Sequence, residues 1–160
     1  MITWIRTTQW MSAVGVLALA LYGCDAKAQE KGGKHEHKPP HNGTLVVFGN
    51  EFAHLELVLD PATGTLDGYL LDGEAENPIR AVEKSISLKL KTGASVFELT
   101  LRPVENKLTG ETVGDTSQFQ GQADGLKGLK EFDGWVGNVL VKGKVFNNVW
   151  FNFPKGNESE

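Results

Sequence analysis

Ala53-His54-Leu55-Glu56-Leu57-Val58-Leu59 sets the period of the fold. Ala53, Leu55, Leu57 and Leu59 alternate with His54, Glu56 and Val58, and a period of two puts alternate side chains on opposite faces of a strand. Further along, Ile86, Leu88 and Leu90 alternate with Ser85, Ser87, Lys89 and Lys91, and Phe97, Leu99 and Leu101 alternate with Val96, Glu98, Thr100 and Arg102. Asp60-Pro61-Ala62-Thr63-Gly64, Asp72-Gly73 and Thr92-Gly93 separate these runs, with proline presetting φ for a turn and glycine free to take positive φ. Val136 to Val141 and Val145 to Phe153 flank Lys142-Gly143-Lys144 as a hairpin. Only Asp124 to Phe132 has helical spacing, with Leu126 and Leu129 behind an Asp124 cap, and Gly125 and Gly128 shorten it to a turn or two. The expected fold is all-β, an antiparallel immunoglobulin-like β-sandwich with one short helical turn. Trp135, Phe146, Trp150, Phe151 and Phe153 are expected to pack in its core rather than to form a sugar-stacking surface.

Outward from these strands, the 160 residues leave room for one core and its tails. Residues 1–23 read as a lipoprotein signal peptide, with Arg6 ahead of the apolar run Met11 to Leu21. Leu21-Tyr22-Gly23-Cys24 resembles a lipobox, which makes Cys24 the lipidated first residue of the mature chain; Ala26-Lys27-Ala28 offers a rival cleavage point. Residues 24–40 are polar, contain Gly-Gly and Pro-Pro pairs and carry no large apolar side chain, so they are expected to be a disordered tether. The β-sandwich domain is expected over 41–154 and a disordered tail over 155–160. The implied location is the cell envelope, lipid-anchored on the periplasmic side, or soluble there if cleavage follows Ala28. Asn42-Gly43-Thr44 and Asn157-Glu158-Ser159 match the glycosylation pattern, which beside a bacterial lipobox reads as chance.

Composition removes several classes of function. Sixteen Lys and Arg against 20 Asp and Glu, a net charge of −4, argue against nucleic acid as a partner. A single Cys excludes an intramolecular disulfide framework and any cysteine-based zinc cluster. Ser85, Ser87, Ser95 and Ser117 carry no nucleophile signature, no glycine-rich phosphate loop precedes a helix, and Glu74 and Glu76 sit in a loop that reads as solvated surface. Neither an enzymatic activity nor an organic cofactor is therefore expected.

All four histidines lie between His35 and His54, and His-x-His followed by further His is a compositional cue for metal. His54 and Glu56, two apart on a strand, share one face, and a returning tail would bring His41 beside them. The expected ligands are His41, His54 and Glu56, with His35 and His37 as auxiliary capture groups. Both methionines, Met1 and Met11, lie in the leader, so the domain has no soft ligand for Cu(I); imidazole with carboxylate suits Zn(II), Cu(II), Ni(II) or Co(II). The competing expectation is a solvated, weakly chelating linker with His54 as an ordinary exposed strand residue.

Pro40-His41-Asn42-Gly43-Thr44-Leu45, then Gly49, Ala53-His54-Leu55-Glu56-Leu57 and Asp60-Pro61-Ala62-Thr63-Gly64, resemble a Pro-His-Gly-Gly and Ala/Tyr-His-x-Glu pattern. The pattern belongs to small bacterial envelope proteins and to the His-rich N-terminal extensions of heavy-metal efflux adaptor (membrane fusion) proteins. The likeness runs over most of 40–153, with Asn42 in place of a glycine and no membrane-fusion hairpin following. It implies divalent-metal handling outside the cytoplasm at His41, His54 and Glu56, by buffering or delivery, with the membrane and a metal-efflux or other envelope complex as partners. The alternative expectation is a non-catalytic immunoglobulin-like interaction module in which the histidines play no part.

Overall fold

Strand alternation is clearest where both neighbours are plain: in Ile86–Thr92 the isoleucine and leucines are buried while Ser87, Lys89 and Lys91 are exposed. The computed structural model describes residues 37–93 and 95–158. In chain order these form β1 (Thr44–Phe48), β2 (Ala53–Asp60), β3 (Thr65–Leu71), β4 (Ile86–Thr92), β5 (Ser95–Pro103), β6 (Gln118–Gln122), β7 (Phe132–Val136), β8 (Val139–Val141), β9 (Lys144–Phe146) and β10 (Val149–Phe153). Every named pairing is antiparallel. The order β1-β2-β3-β6-β5-β4-β7-β10 makes one eight-stranded sheet, with β8 and β9 a separate pair. The sheet folds over so that β10 returns to touch β1, giving a sandwich whose layers run into each other as a nearly closed barrel.

The inner faces supply the core. Val46, Phe48, Leu55, Leu57, Leu66, Leu70, Leu88, Leu90, Leu101, Phe119 and Phe151 are all fully buried, each contributing roughly 1.5–3 kcal/mol by leaving water. The predicted helix is a single 3-10 turn, Asp124–Leu126, which buries Leu126; Asp124 makes no capping bond and pairs instead with Lys127 at 2.7 Å. Val136 to Val141 breaks at Gly137-Asn138, so β7 pairs with β10 while β8 and β9 form the expected hairpin around Lys142-Gly143.

Phe146 and Phe151 are core, as expected, but Trp135 and Trp150 are not. They oppose each other across β7 and β10, on the face opposite buried Gly134 and Phe151, and Trp150 is 47% exposed.

The described parts of the two segments expected to be disordered, 24–40 and 155–160, are held against the domain. Residues 37–40 lie against the domain, and Gly156 and Asn157 are bonded to β10 and β1 respectively. Cys24, His35 and the leader lie outside the described residues.

Candidate metal centre

On β2 both faces are buried. Ala53, Leu55 and Leu57 enter the core, while His54 and Glu56, on the outer face, are each 0% exposed. A second layer covers them. Pro39 to Gly43 forms a strap in which the Asn42 amide bonds the Pro39 carbonyl at 3.2 Å. Asn42 takes φ +56°, a conformation asparagine accepts more readily than most residues. Leu45, Leu71 and Ala75 make a small outer cluster against Tyr69.

Glu56 fastens the strap. Its Oε1 accepts the backbone N–H groups of His41 and Gly43, both at 2.8 Å, and its Oε2 lies 2.7 Å from His41 Nδ1. The His41 ring stacks on Tyr69 with centroids 3.9 Å apart. Burial, with the charges of Asp67 and Glu56, pushes the Tyr69 hydroxyl above its ordinary range. Gly43 is required by close approach: a Cβ there would meet the Leu57 carbonyl oxygen at 2.6 Å and Glu56 Cγ at 2.7 Å.

His54 faces a different neighbourhood. Its Nδ1 is 2.8 Å from the Asp72 carbonyl oxygen; a carbonyl only accepts, so Nδ1 carries the hydrogen. In the neutral ring Nε2 is then a lone pair, buried and without a hydrogen-bond partner among the described residues. The His37 ring meets the His54 ring edge-on, centroids 4.8 Å apart and planes at 60°. His37, its side chain only 5% exposed, bonds Glu158 Oε1 through Nδ1 at 3.1 Å. Ligand atoms of His37, Glu158 and Glu51, from the β1–β2 turn, lie within 4.8 Å of one another.

The expected set thus divides in two. His41 and Glu56 come together, with both carboxylate oxygens of Glu56 engaged by the strap. His54 lies ring to ring beside His37, which itself groups with Glu158 and Glu51 rather than with His41 and Glu56. Sequence reasoning missed Glu51 and Glu158. The signal for a covered outer face was the uninterrupted apolar run Leu45 to Phe48 in β1, since a strand buried on both faces loses its alternation.

Asp72 holds the loop that orients His54. Its Oδ1 accepts the Glu76 and Asn77 amides at 3.0 and 3.2 Å and its Oδ2 accepts Asn77 Nδ2 at 2.7 Å. Partial burial pushes its carboxyl up, but these bonds outweigh that and leave it below the ordinary 3.8. A depressed carboxylate contributes stability above its unfolded pKa and loses it as pH falls through the folded value. The turn over 72–77 is therefore expected to hold at pH 5 and to loosen only below about pH 4. Amide exchange at Glu76 and Asn77 checks this; a transition near pH 6 would contradict it.

No protein-family model, curated protein or solved structure matches the chain.

Proposed function

We propose that this domain binds a divalent transition metal outside the cytoplasm, through His37 and His54 with Glu158 and Glu51 completing the shell, and that it buffers or delivers the ion without turnover. The observation that carries the reading is the lone pair of His54 Nε2, sealed from water and unpartnered while Nδ1 is fixed by a carbonyl. An unpaired buried acceptor costs on the order of 1–3 kcal/mol, and an imidazole held through its other nitrogen is the usual arrangement of a metal ligand.

The spacings support it. Two imidazoles on one tetrahedral ion have centroids roughly 5 Å apart, and two ligand atoms on it stand roughly 3.4 Å apart, given bonds of about 2.0–2.2 Å. The pair His37 Nδ1–Glu158 Oε1 is at 3.1 Å inside the group that includes Glu51, and the His37 and His54 ring centroids are 4.8 Å apart; the His54 nitrogens stand outside that group and reach the shared ion by a local shift of the rings. Nitrogen and oxygen donors without sulfur favour Zn(II), Co(II), Ni(II) or Cu(II) over Cu(I). The lipobox-like Leu21-Tyr22-Gly23-Cys24 supports anchoring to a membrane, and the resemblance to efflux-adaptor extensions supports a role beside a metal-efflux complex.

Calorimetric titration of the full chain with Zn(II), with Co(II) absorption as a second readout, tests the proposal. The expected result is one ion per chain at micromolar affinity or tighter, with a tetrahedral cobalt spectrum, largely retained in His41→Ala. Millimolar affinity, or a cobalt spectrum no different from the hydrated ion, would overturn it.

A further inference from the structure

Resting on that metal reading, we infer that the bound ion acts as a clasp that locks the seam of the barrel and both ends of the domain. The seam lies between β1 and β10, the two ends of the sheet order. After β10 the chain turns back through Pro154 and Lys155, and Gly156 pairs with Asn152 by two backbone bonds of 3.0 and 2.6 Å. The next residue crosses to the other edge. Asn157 Oδ1 accepts the Val47 N–H at 2.7 Å, and its Nδ2 donates to the Val47 carbonyl at 3.2 Å. One amide side chain thus stands in for a ladder rung and satisfies an edge residue of β1 that β2 leaves open. The tail passes so close to β1 that a Cβ on Gly156, at φ +78°, would lie 2.3 Å from the Leu45 carbonyl oxygen. Asn157 is therefore a structural residue rather than a modification site.

Glu158 comes immediately after this stitch and reaches His37, two residues ahead of the strap that Glu56 fastens. The two residues are 121 positions apart. An ion shared by His37, His54 and Glu158, with Glu51 alongside, ties together the strap, β2, the β1–β2 turn and the tail. Cross-links that close long stretches of chain restrict the opened ensemble most. Without the ion, the described part of the tail is held to β1 by the Asn157 amide and to His37 by the partly exposed Glu158 contact, which is of small intrinsic strength. Metal occupancy therefore changes how often the tail lifts and the β1 edge opens, while the core is unaffected.

The amide of Val47 reports this opening, because its partner is the Asn157 side chain. Hydrogen exchange is measured on the full chain with and without Zn(II), beside calorimetry on the same samples. Zinc is expected to slow Val47 exchange at least about tenfold, since a ligand that favours the closed form lowers the open population in proportion to its differential affinity. Exchange in the Lys142-Gly143 turn should not change. In Glu158→Gln the ion should still bind through the two imidazoles, more weakly, and Val47 protection should be lost. Zinc binding with unchanged Val47 exchange would overturn the clasp and leave the metal site standing. Absence of zinc binding would remove both.

Discussion

Glu56→Ala is expected to lower the unfolding free energy by about 3 kcal/mol. The carboxylate is 0% exposed and accepts two backbone N–H groups together with the His41 ring. Hydrogen bonds to a charged acceptor contribute roughly 1.5–3 kcal/mol each, and a donor left buried without one costs about 1–3 kcal/mol. The simple sum overstates the loss, because the strap can lift and let its amides find water. His41, with a side chain 44% exposed, has a short way to go. Lifting in turn uncovers the outer face of β2, which limits the relief. At about 3–5 °C per kcal/mol for a domain of this size, the midpoint should fall by roughly 10 °C. Glu56→Gln keeps Oε1 for both backbone amides and should lose only about half as much. A shift below 2 °C in Glu56→Ala would show that the strap is not fastened here. The same variant should weaken zinc binding about tenfold although the proposed ion does not touch Glu56, because His37 lies just ahead of the strap it releases.

The placement of these two acid–histidine pairs was only partly legible in the sequence. Period-two alternation located β2, β4 and β5 and put His54 and Glu56 on one face, as the register confirms. Alternation alone left that face either solvated or covered by a returning tail, and in the structure it is covered. Whether a polar face is wet depends on what lies over it, and the strap over β2 is built from residues without large apolar side chains. Their order comes from hydrogen bonds to a single buried carboxylate, which hydropathy does not register. At the Trp135–Trp150 pair the inference failed: an aromatic run was read as core, but alternation within Val149–Phe153 sends Phe151 inward and Trp150 outward. Glu158 was illegible for a third reason. Nothing local links a glutamate in the polar segment Lys155-Gly156-Asn157-Glu158 to a histidine 121 residues earlier; the link exists only once the barrel has brought β10 round to β1.

His54→Leu separates function from stability. Leucine removes the Nδ1–H donated to Asp72, a loss of about 1 kcal/mol, and also removes the unpartnered Nε2, a gain of about 1–3 kcal/mol. The ring's volume is largely replaced, and its surroundings include the apolar side chain of Leu71, which is paired with it in register. The metal-free protein should therefore melt within a few degrees of the natural one, unchanged or slightly more stable. Its zinc affinity should fall by at least about 100-fold, since loss of a group that merely orients a ligand already costs about 10–100-fold. A histidine kept for packing would give the reverse result: a destabilised protein with unaltered zinc binding. His41→Ala is the complementary case, expected to lower the melting temperature through the Glu56 contact and to leave most zinc affinity in place. Opposite outcomes at His54, on the sheet face, and His41, in the strap over it, would place the ion at the first and the fastening at the second, a distinction that neither variant alone can make.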